Sequence, residues 1–491
     1  MSAPPLPDMI SKRTALVVLG VLTALGAALR IYGLNSELWY DEIKTVLESV
    51  RPPLSVTLTD FPSNNDHPLF SLLSHISWAL FGESPWAVRL PAALFGIASI
   101  PMLYVFGKEA AGRLEALLAA ALLTFSYHHV AFSQSARGYS MLLFFTLLTS
   151  WLLLKAIKTP GWRIWFAYAV AATLGCYTHL TMIYVIAGHG LIVGVSWLLE
   201  QKGKANFRTL MQPAAGFGLF AALTLALYLP LFSGVEAYVA EKSGGTSTQI
   251  ATPLWAIFAA IEGMAEGFGG MLGAGLAVAL LAIGFLNYAL RTPLIAAMYV
   301  APAPLVVLSA LILGHALRPR FLFVLAGFAL LMLVRGAMVA GRSRAAQVAE
   351  KRLSLPAQTV SIILVLIVGV ASAASLPRNY ALPKQHFTGA ISFIDQNKAT
   401  GESGYIVGNA AKVAIVDYHG RPYSLLSSAA DFDRVDGVFF LALTFRDYVE
   451  KGAPEMWRAI NEHCSEAANF PGTIAGGEVF VYKCAGGTPK G

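Results

Sequence analysis

Residues 126–158 read SYHHVAFSQSARGYSMLLFFTLLTSWLLLKAIK. The stretch from Met141 to Leu154 carries no charge, is followed by Lys155 and Lys158, and is preceded by a short polar break that holds one arginine, Arg137. An apolar stretch of about 17–25 residues is the length that crosses the hydrocarbon core of a bilayer as a helix. Lysines at one end of such a run mark the end that stays in the cytoplasm. The segment therefore reads as one span, 139–156, entered from a turn on the opposite side of the membrane.

The same pattern recurs on both sides of it. Candidate spans fall at 14–33, 86–107, 114–132, 139–156, 163–179, 181–199, 211–232, 271–290, 293–313, 321–340 and 357–376, about eleven crossings by length. Composition agrees. Hydrophobic residues make up 56% of the 491 positions and charged residues 13%, where a soluble domain carries about 25% charge. With mean hydropathy at +0.61, the apolar surplus must face lipid. The stretches 67–82 and 252–269 are read as helices lying in the outer interface. The first is short, and the second carries Glu262 and Glu266.

Basic residues set the orientation. Lys12 and Arg13 precede the first span, and Arg30 stands where a cleavage site would be needed, so this span is retained. Lys108 and Arg113, then Lys155, Lys158 and Arg163, then Lys202, Lys204 and Arg208, then Arg291, then Arg342, Arg344, Lys351 and Arg352 occupy every second break. The positive-inside rule then puts the N-terminus in the cytoplasm and the chain after residue 376 outside it, in a multi-pass membrane protein. The net charge of +7 is spread over these short loops, which excludes a nucleic-acid-binding face.

The chain thus divides into a helical membrane module, 1–376, whose long first outer loop is 34–85, and a soluble extracytoplasmic α/β domain, 377–491. In the latter, GYIVGNA, VAIVDY, GVFFLALTF and EVFVYKC read as strands, and 386–397 and 446–463 as helices. Cys464 and Cys484 both lie in this tail and can form a bridge in an oxidising compartment. Cys176, inside an apolar run, reads as a packed thiol.

Ionisable residues at the mouths of spans are costly and are functional candidates by default. The outward breaks collect Asp41 and Glu42 in LWYDEIK, Asp66 and His67 in NNDHPLF, Arg137 and Tyr139 in SQSARGYS, Glu236 and Glu241 after 211–232, and His315, Arg318 and Arg320 in HALRPRF. Taken singly, each has an ordinary reading. An Asp-Glu pair in a loop is solvated surface, arginines at helix ends snorkel, His128 and His129 are interfacial, and Asp66 with His67 lacks a third metal ligand. Taken together, they place carboxylates suited to general-base work and guanidinium groups suited to bidentate phosphate binding on one face.

The order of motifs is more specific than any one of them. LWYDE, then HPLF, FGESPWAVRLPAALFG, SYHHVAFSQSARGYSMLL, RPRFLFVLAGFALL and LPKQHFTGAISFID resemble the GT-C glycosyltransferases of the family 39 type, related to protein O-mannosyltransferases and aminoarabinose transferases. The resemblance implies a bacterial enzyme of the inner membrane that moves a sugar, with inversion, from a polyprenyl-phosphate donor to a glycolipid, lipid A or core, cell-wall glycan or protein acceptor. It implies Asp41 as the base with Glu42 beside it, and Arg137, Arg318 and Arg320 on the donor phosphate. The chain departs from the family pattern at Phe321, where relatives carry a tyrosine, and at Leu69, where they carry a second proline. No Walker or Rossmann glycine pattern is present; no cofactor is expected, and a divalent cation lacks a ligand set. The competing classes are a lipid or sugar transporter or flippase, which would carry midplane charges and pseudo-repeats, and a non-catalytic subunit of the same fold.

Overall fold

The computed structural model describes residues 10–61, 66–200, 207–232, 234, 253–313, 319–353, 355–356, 358–399 and 402–487. Glu236, Glu241, His315 and Arg318 lie outside the described residues. The chain forms two compact units. One comprises 1–34, 53–82 and 87–376; the other comprises 35–52, 83–86 and 377–491. One boundary falls at 376/377, and 35–52 and 83–86 belong to the same unit as 377–491.

The first unit is helical. Eight described helices are long and apolar enough to cross a membrane: Lys12–Ile31, Pro85–Ala111, Tyr139–Lys158, Met182–Leu199, Phe207–Leu231, Met271–Arg291, Leu322–Ala340 and Thr359–Ala381. A ninth is the pair Arg113–Thr124 and Tyr127–Ser133, bent by 61°. The two other expected spans form the 17-residue helix Trp162–Thr178 and the broken pair Pro293–Val300 and Pro302–Leu313, interrupted at Pro302, which has no N–H to continue the helical ladder. Leu16, Val17, Val21 and Leu25 are exposed on the first helix, an apolar face suited to lipid. Helices Met271–Arg291 and Ala326–Ala340 approach through Gly284 and Gly336, where an added Cβ would strike the backbone of Met332 or Leu280. Small residues that let backbones meet are the usual means of packing helices in lipid. The buried Glu115 is paired with Arg335 at 2.8 Å, and Arg335 also lies over the Tyr288 ring at 4.9 Å.

The second unit is built on a five-stranded sheet of order β2-β1-β3-β5-β4, with β1 at Gly404–Val407, β2 at Ser424–Leu426, β3 at Val438–Thr444, β4 at Cys464–Phe470 and β5 at Val479–Ala485. Strand β1 runs parallel to β2 and β3, and β5 runs antiparallel to β3 and β4. Phe432, Phe439, Leu441, Leu443 and Ile460 form its core. Cys464 and Cys484 are directly opposite across β4 and β5 and are joined as a disulfide.

Two local expectations are corrected. VAIVDY is not a strand. It lies in a helical segment of π type, Lys412–Tyr418, that follows Gly408 at φ 85° and is not one of the strands of the five-stranded sheet. The sheet instead uses SLL and the polar CSEAANF, whose cross-strand partners outweigh weak propensity. The helix expected at 446–463 is two, Arg446–Gly452 and Pro454–His463, divided before Pro454.

Residues 35–52 are held in this unit by polar contacts. Thr388 donates its N–H and hydroxyl to the two Glu37 carboxylate oxygens, at 2.7 and 2.9 Å, and the Phe387 N–H adds a further bond. Burial nonetheless raises the Glu37 carboxyl to about 7, outweighing those bonds. His419, 3.8 Å from Glu37, is pushed down by burial and by Arg421 and Arg51. A carboxyl raised from 4.5 binds its proton more tightly when folded, so its stabilising contribution is complete below 4.5 and is lost as pH rises through about 7. Thermal melts of the full chain between pH 5 and 8 should therefore show a flatter pH dependence for Glu37→Gln than for wild type. Parallel slopes would contradict the assignment.

Candidate functional site

The helical unit builds its polar cluster around the break between Arg113–Thr124 and Tyr127–Ser133. A break exposes carbonyls that lipid cannot satisfy, and here Arg30 satisfies them. Its fully buried guanidinium donates to the carbonyls of Thr124 at 3.2 Å, Leu123 at 3.0 Å and Gly26 at 2.9 Å, and to His129 Nδ1 at 2.6 Å. Gln134 returns the favour at the end of the first helix, donating to the carbonyls of Leu29, Arg30 and Tyr32 at 3.1, 3.2 and 2.5 Å. Gln134, part of the polar motif, thus acts on the backbone. The loop it anchors carries Arg137, 2% exposed, and Tyr139, with Arg137 over the Tyr139 ring at 5.9 Å.

Three other segments converge on this loop. His67, 1% exposed, precedes the helix Pro68–Phe81, and its ring lies 5.2 Å from Tyr139. His179 caps the end of Trp162–Thr178, with ring distances of 4.7 Å to His67 and 5.9 Å to Tyr139. Arg320 begins the turn Pro319–Leu325, which is seated by Phe323 packing on Phe132 at 4.5 Å and on His129 at 6.0 Å. Both Arg137 and Arg320 act electrostatically on His67 and on His179. Burial first, and then Arg137, His179 and Arg320, hold His67 well below the usual imidazole range, so it is neutral at physiological pH. The Thr181 N–H donates to His179 Nδ1 at 3.1 Å, which leaves the proton of the neutral ring on Nε2. The cluster is two guanidinium groups backed by two uncharged imidazoles and a phenol, a donor-rich place for a phosphate. Asp66 is turned to Ser71, whose hydroxyl donates to it at 2.6 Å. Among the described residues no group of three or more His, Cys, Asp or Glu is gathered for a metal ion.

The second unit holds Asp41 and Glu42 in the first turn of the short helix Tyr40–Thr45, where the helix dipole favours acidic residues. Their placement differs. Glu42 is fully buried and accepts the Trp39 N–H at 3.2 Å, so it closes the helix start; Asp41 is half-buried. Sequence reasoning missed His179, Arg30 and Gln385. His179 stands alone between two apolar runs with no pattern around it, whereas Arg30, a charge at the end of a span, was a signal to look for a buried partner.

The helical architecture has the fold of the GT-C glycosyltransferases, and its long apolar helices are those of a multi-pass membrane protein. Residues 65–228 match the family described as dolichyl-phosphate-mannose-protein mannosyltransferase. YkcB and YycA of Bacillus subtilis (strain 168), both provisionally named mannosyltransferases, are 32% and 35% identical over 120 and 104 residues. Those alignments cover 24% and 21% of this chain, and they span only 17% and 15% of the two relatives. The fold is shared more widely. ArnT from Cupriavidus metallidurans in the apo state superposes with a TM-score of 0.56 at 13% identity, over 95% of this chain and 97% of that one. The same protein bound to undecaprenyl phosphate gives 0.54 at 12% identity, over 96% and 98%. The oligosaccharyltransferase AglB from Archaeoglobus fulgidus, in complex with an inhibitory peptide and a dolichol-phosphate, gives 0.54 at 11% identity, over 95% and 74%.

Gly138 permits the convergence: a Cβ there would lie 2.8 Å from Thr178 Cγ2 and 2.9 Å from His67 Nδ1. Gly138→Ala should cost about 1–3 kcal/mol through overpacking, seen as a lower melting temperature. Gly161→Ala, with open space around it, should leave the melt unchanged. Equal melts for the two variants would contradict the packing described.

Proposed function

We propose that the chain transfers a sugar from a polyprenyl-phosphate donor to an acceptor hydroxyl, with inversion at the anomeric carbon. The observation that carries this reading is the gathering of Arg137, Arg320, His67 and His179 at one place in a largely apolar bundle. Charged groups in lipid-spanning regions are retained where a ligand or pathway uses them. Two arginines kept beside uncharged imidazoles suit an anionic headgroup whose tail lies among helices. The solved structures of shared fold support a lipid phosphate, since one holds undecaprenyl phosphate and another a dolichol-phosphate.

In the proposed reaction the acceptor gives its proton to the Asp41 carboxylate as its heteroatom attacks the anomeric carbon. The bond from that carbon to the phosphate oxygen breaks on the opposite face, and the electron pair leaves with the polyprenyl phosphate. Arg137 and Arg320, with Arg318 as a further candidate, stabilise the charge that develops on it. Removal of one such donor costs about 10²–10³ in rate. His67 and His179 Nε2 offer hydrogen bonds without adding charge that would trap the product. Asp41 rather than Glu42 is assigned as base because Glu42 is fully buried at the helix start, whereas Asp41 is half-buried. The pattern of basic loops favours the extracytoplasmic face, and a disulfide at Cys464–Cys484 fits an oxidising compartment there. Glycan, lipid and protein acceptors all remain within this chemistry.

Asp41→Asn should abolish transfer from a labelled polyprenyl-phosphate sugar while leaving donor binding within about twofold. Arg137→Ala should lower transfer by about 10²-fold or more and weaken donor binding as well. Full transfer by Asp41→Asn would refute the base assignment. Movement of the labelled donor across a vesicle membrane without any acceptor would favour a transporter instead.

A further inference from the structure

The LPKQHFTG segment, residues 382–389, carries no role in the reaction outlined above, yet Gln385 is fully buried and every polar atom of its side chain is engaged. Its Oε1 accepts the N–H of Tyr40 at 2.8 Å. Its Nε2 donates to Thr444 Oγ1 at 2.9 Å and to the Gly477 carbonyl at 3.2 Å. The Tyr40 N–H can only donate and the Gly477 carbonyl can only accept, so the amide has one possible orientation. The Thr444 hydroxyl, itself donating to Gly477, completes the ring.

Tyr40 is the first residue of the helix Tyr40–Thr45, and its N–H is one of those a helix leaves without an internal partner. Gln385 is therefore a helix cap supplied from a distant part of the chain. The exchange runs both ways. Glu37, three residues before Tyr40, accepts the N–H groups of Phe387 and Thr388 at the start of the helix Phe387–Asn397, whose own N-cap residue, His386, makes no side-chain cap. Each segment caps the other's helix. The contact is extended by the Tyr40 ring against Phe445 at 6.1 Å and by Asn409 Nδ2 donating to the Tyr40 hydroxyl at 3.5 Å. Phe445 adopts φ 53°, a conformation a bulky residue holds only when its surroundings impose it.

We propose that Gln385 is the positioning residue for Asp41: by capping the helix at Tyr40 it fixes the turn that bears the carboxylate, and the C-terminal unit serves as the jig for that turn. This rests on the assignment of Asp41 as the base. Rate is sensitive to such placement, since a shift of about 1 Å costs about 10²-fold.

The test uses the full-length chain in nanodiscs with Gln385→Met, which keeps the side-chain length and removes both hydrogen-bonding functions, and Thr444→Val, which frees the amide to turn. Hydrogen exchange of the 38–45 peptide should rise about fivefold or more in Gln385→Met, as expected for loss of a bond worth about 1 kcal/mol, while peptides of β3 and β5 stay at wild-type protection. Transfer from a labelled polyprenyl-phosphate sugar should fall about 10–100-fold in kcat with donor KM within twofold, and Thr444→Val should change both readouts in the same direction by less. Unchanged exchange at 38–45 would overturn the cap. Raised exchange with wild-type kcat would overturn the positioning role, as would loss of protection across the whole sheet, which marks a residue needed only for folding. Asp41→Asn, run alongside, separates the two failures: full activity there sinks the base assignment, while the exchange result still reports on the cap.

Discussion

A broken helix inside an apolar bundle must have its freed carbonyls satisfied by protein, because a polar backbone group left bare in lipid costs several kcal/mol. Arg30 and Gln134 meet that demand at the one bent pair of membrane-length helices among the described residues. The arginine of the first helix closes the end of Arg113–Thr124, and the glutamine beyond the break closes the end of the first helix. The two caps lock each other. The break can then turn the chain into a short helix and a polar loop instead of continuing as a span, and that loop delivers Arg137 and Tyr139 to a fixed place.

Everything else in the helical unit's polar cluster is referred to that loop. Gly138 lets His67 come close, and the ring of Phe323 seats the turn that holds Arg320. The neutral imidazoles matter as much as the arginines. Two guanidinium groups brought together repel, and protonated histidines beside them would add to the repulsion; burial keeps His67 uncharged. In the other unit the same device, a polar side chain closing a distant helix end, holds the turn that bears Asp41.

Much of this was legible in the sequence, and for definite reasons. Length and hydropathy located the spans, because lipid leaves few alternatives to a helix. The Asp-Glu pair, Arg137, Arg320 and His67 were legible because charge and imidazole at the mouth of a span are expensive. The interchange of caps was not legible: Gln385 and Glu37 are more than three hundred positions apart, and neither stands in a local capping pattern. Nor was the place of His179, which is set by packing of three separate segments. The wide helical turn at VAIVDY was misread because β-branched residues favour strands, while the strand pairing that leaves this segment out of the sheet is set by residues distant in sequence.

The most direct measurement is a cryo-electron microscopy map of the full chain with polyprenyl phosphate bound in a lipid nanodisc. The account requires the phosphate density to contact the Arg137 and Arg320 side chains, with the His67 and His179 rings within hydrogen-bonding distance of it and the isoprenoid running between helices. A phosphate lodged elsewhere on the bundle, with those four side chains undisturbed, would contradict it.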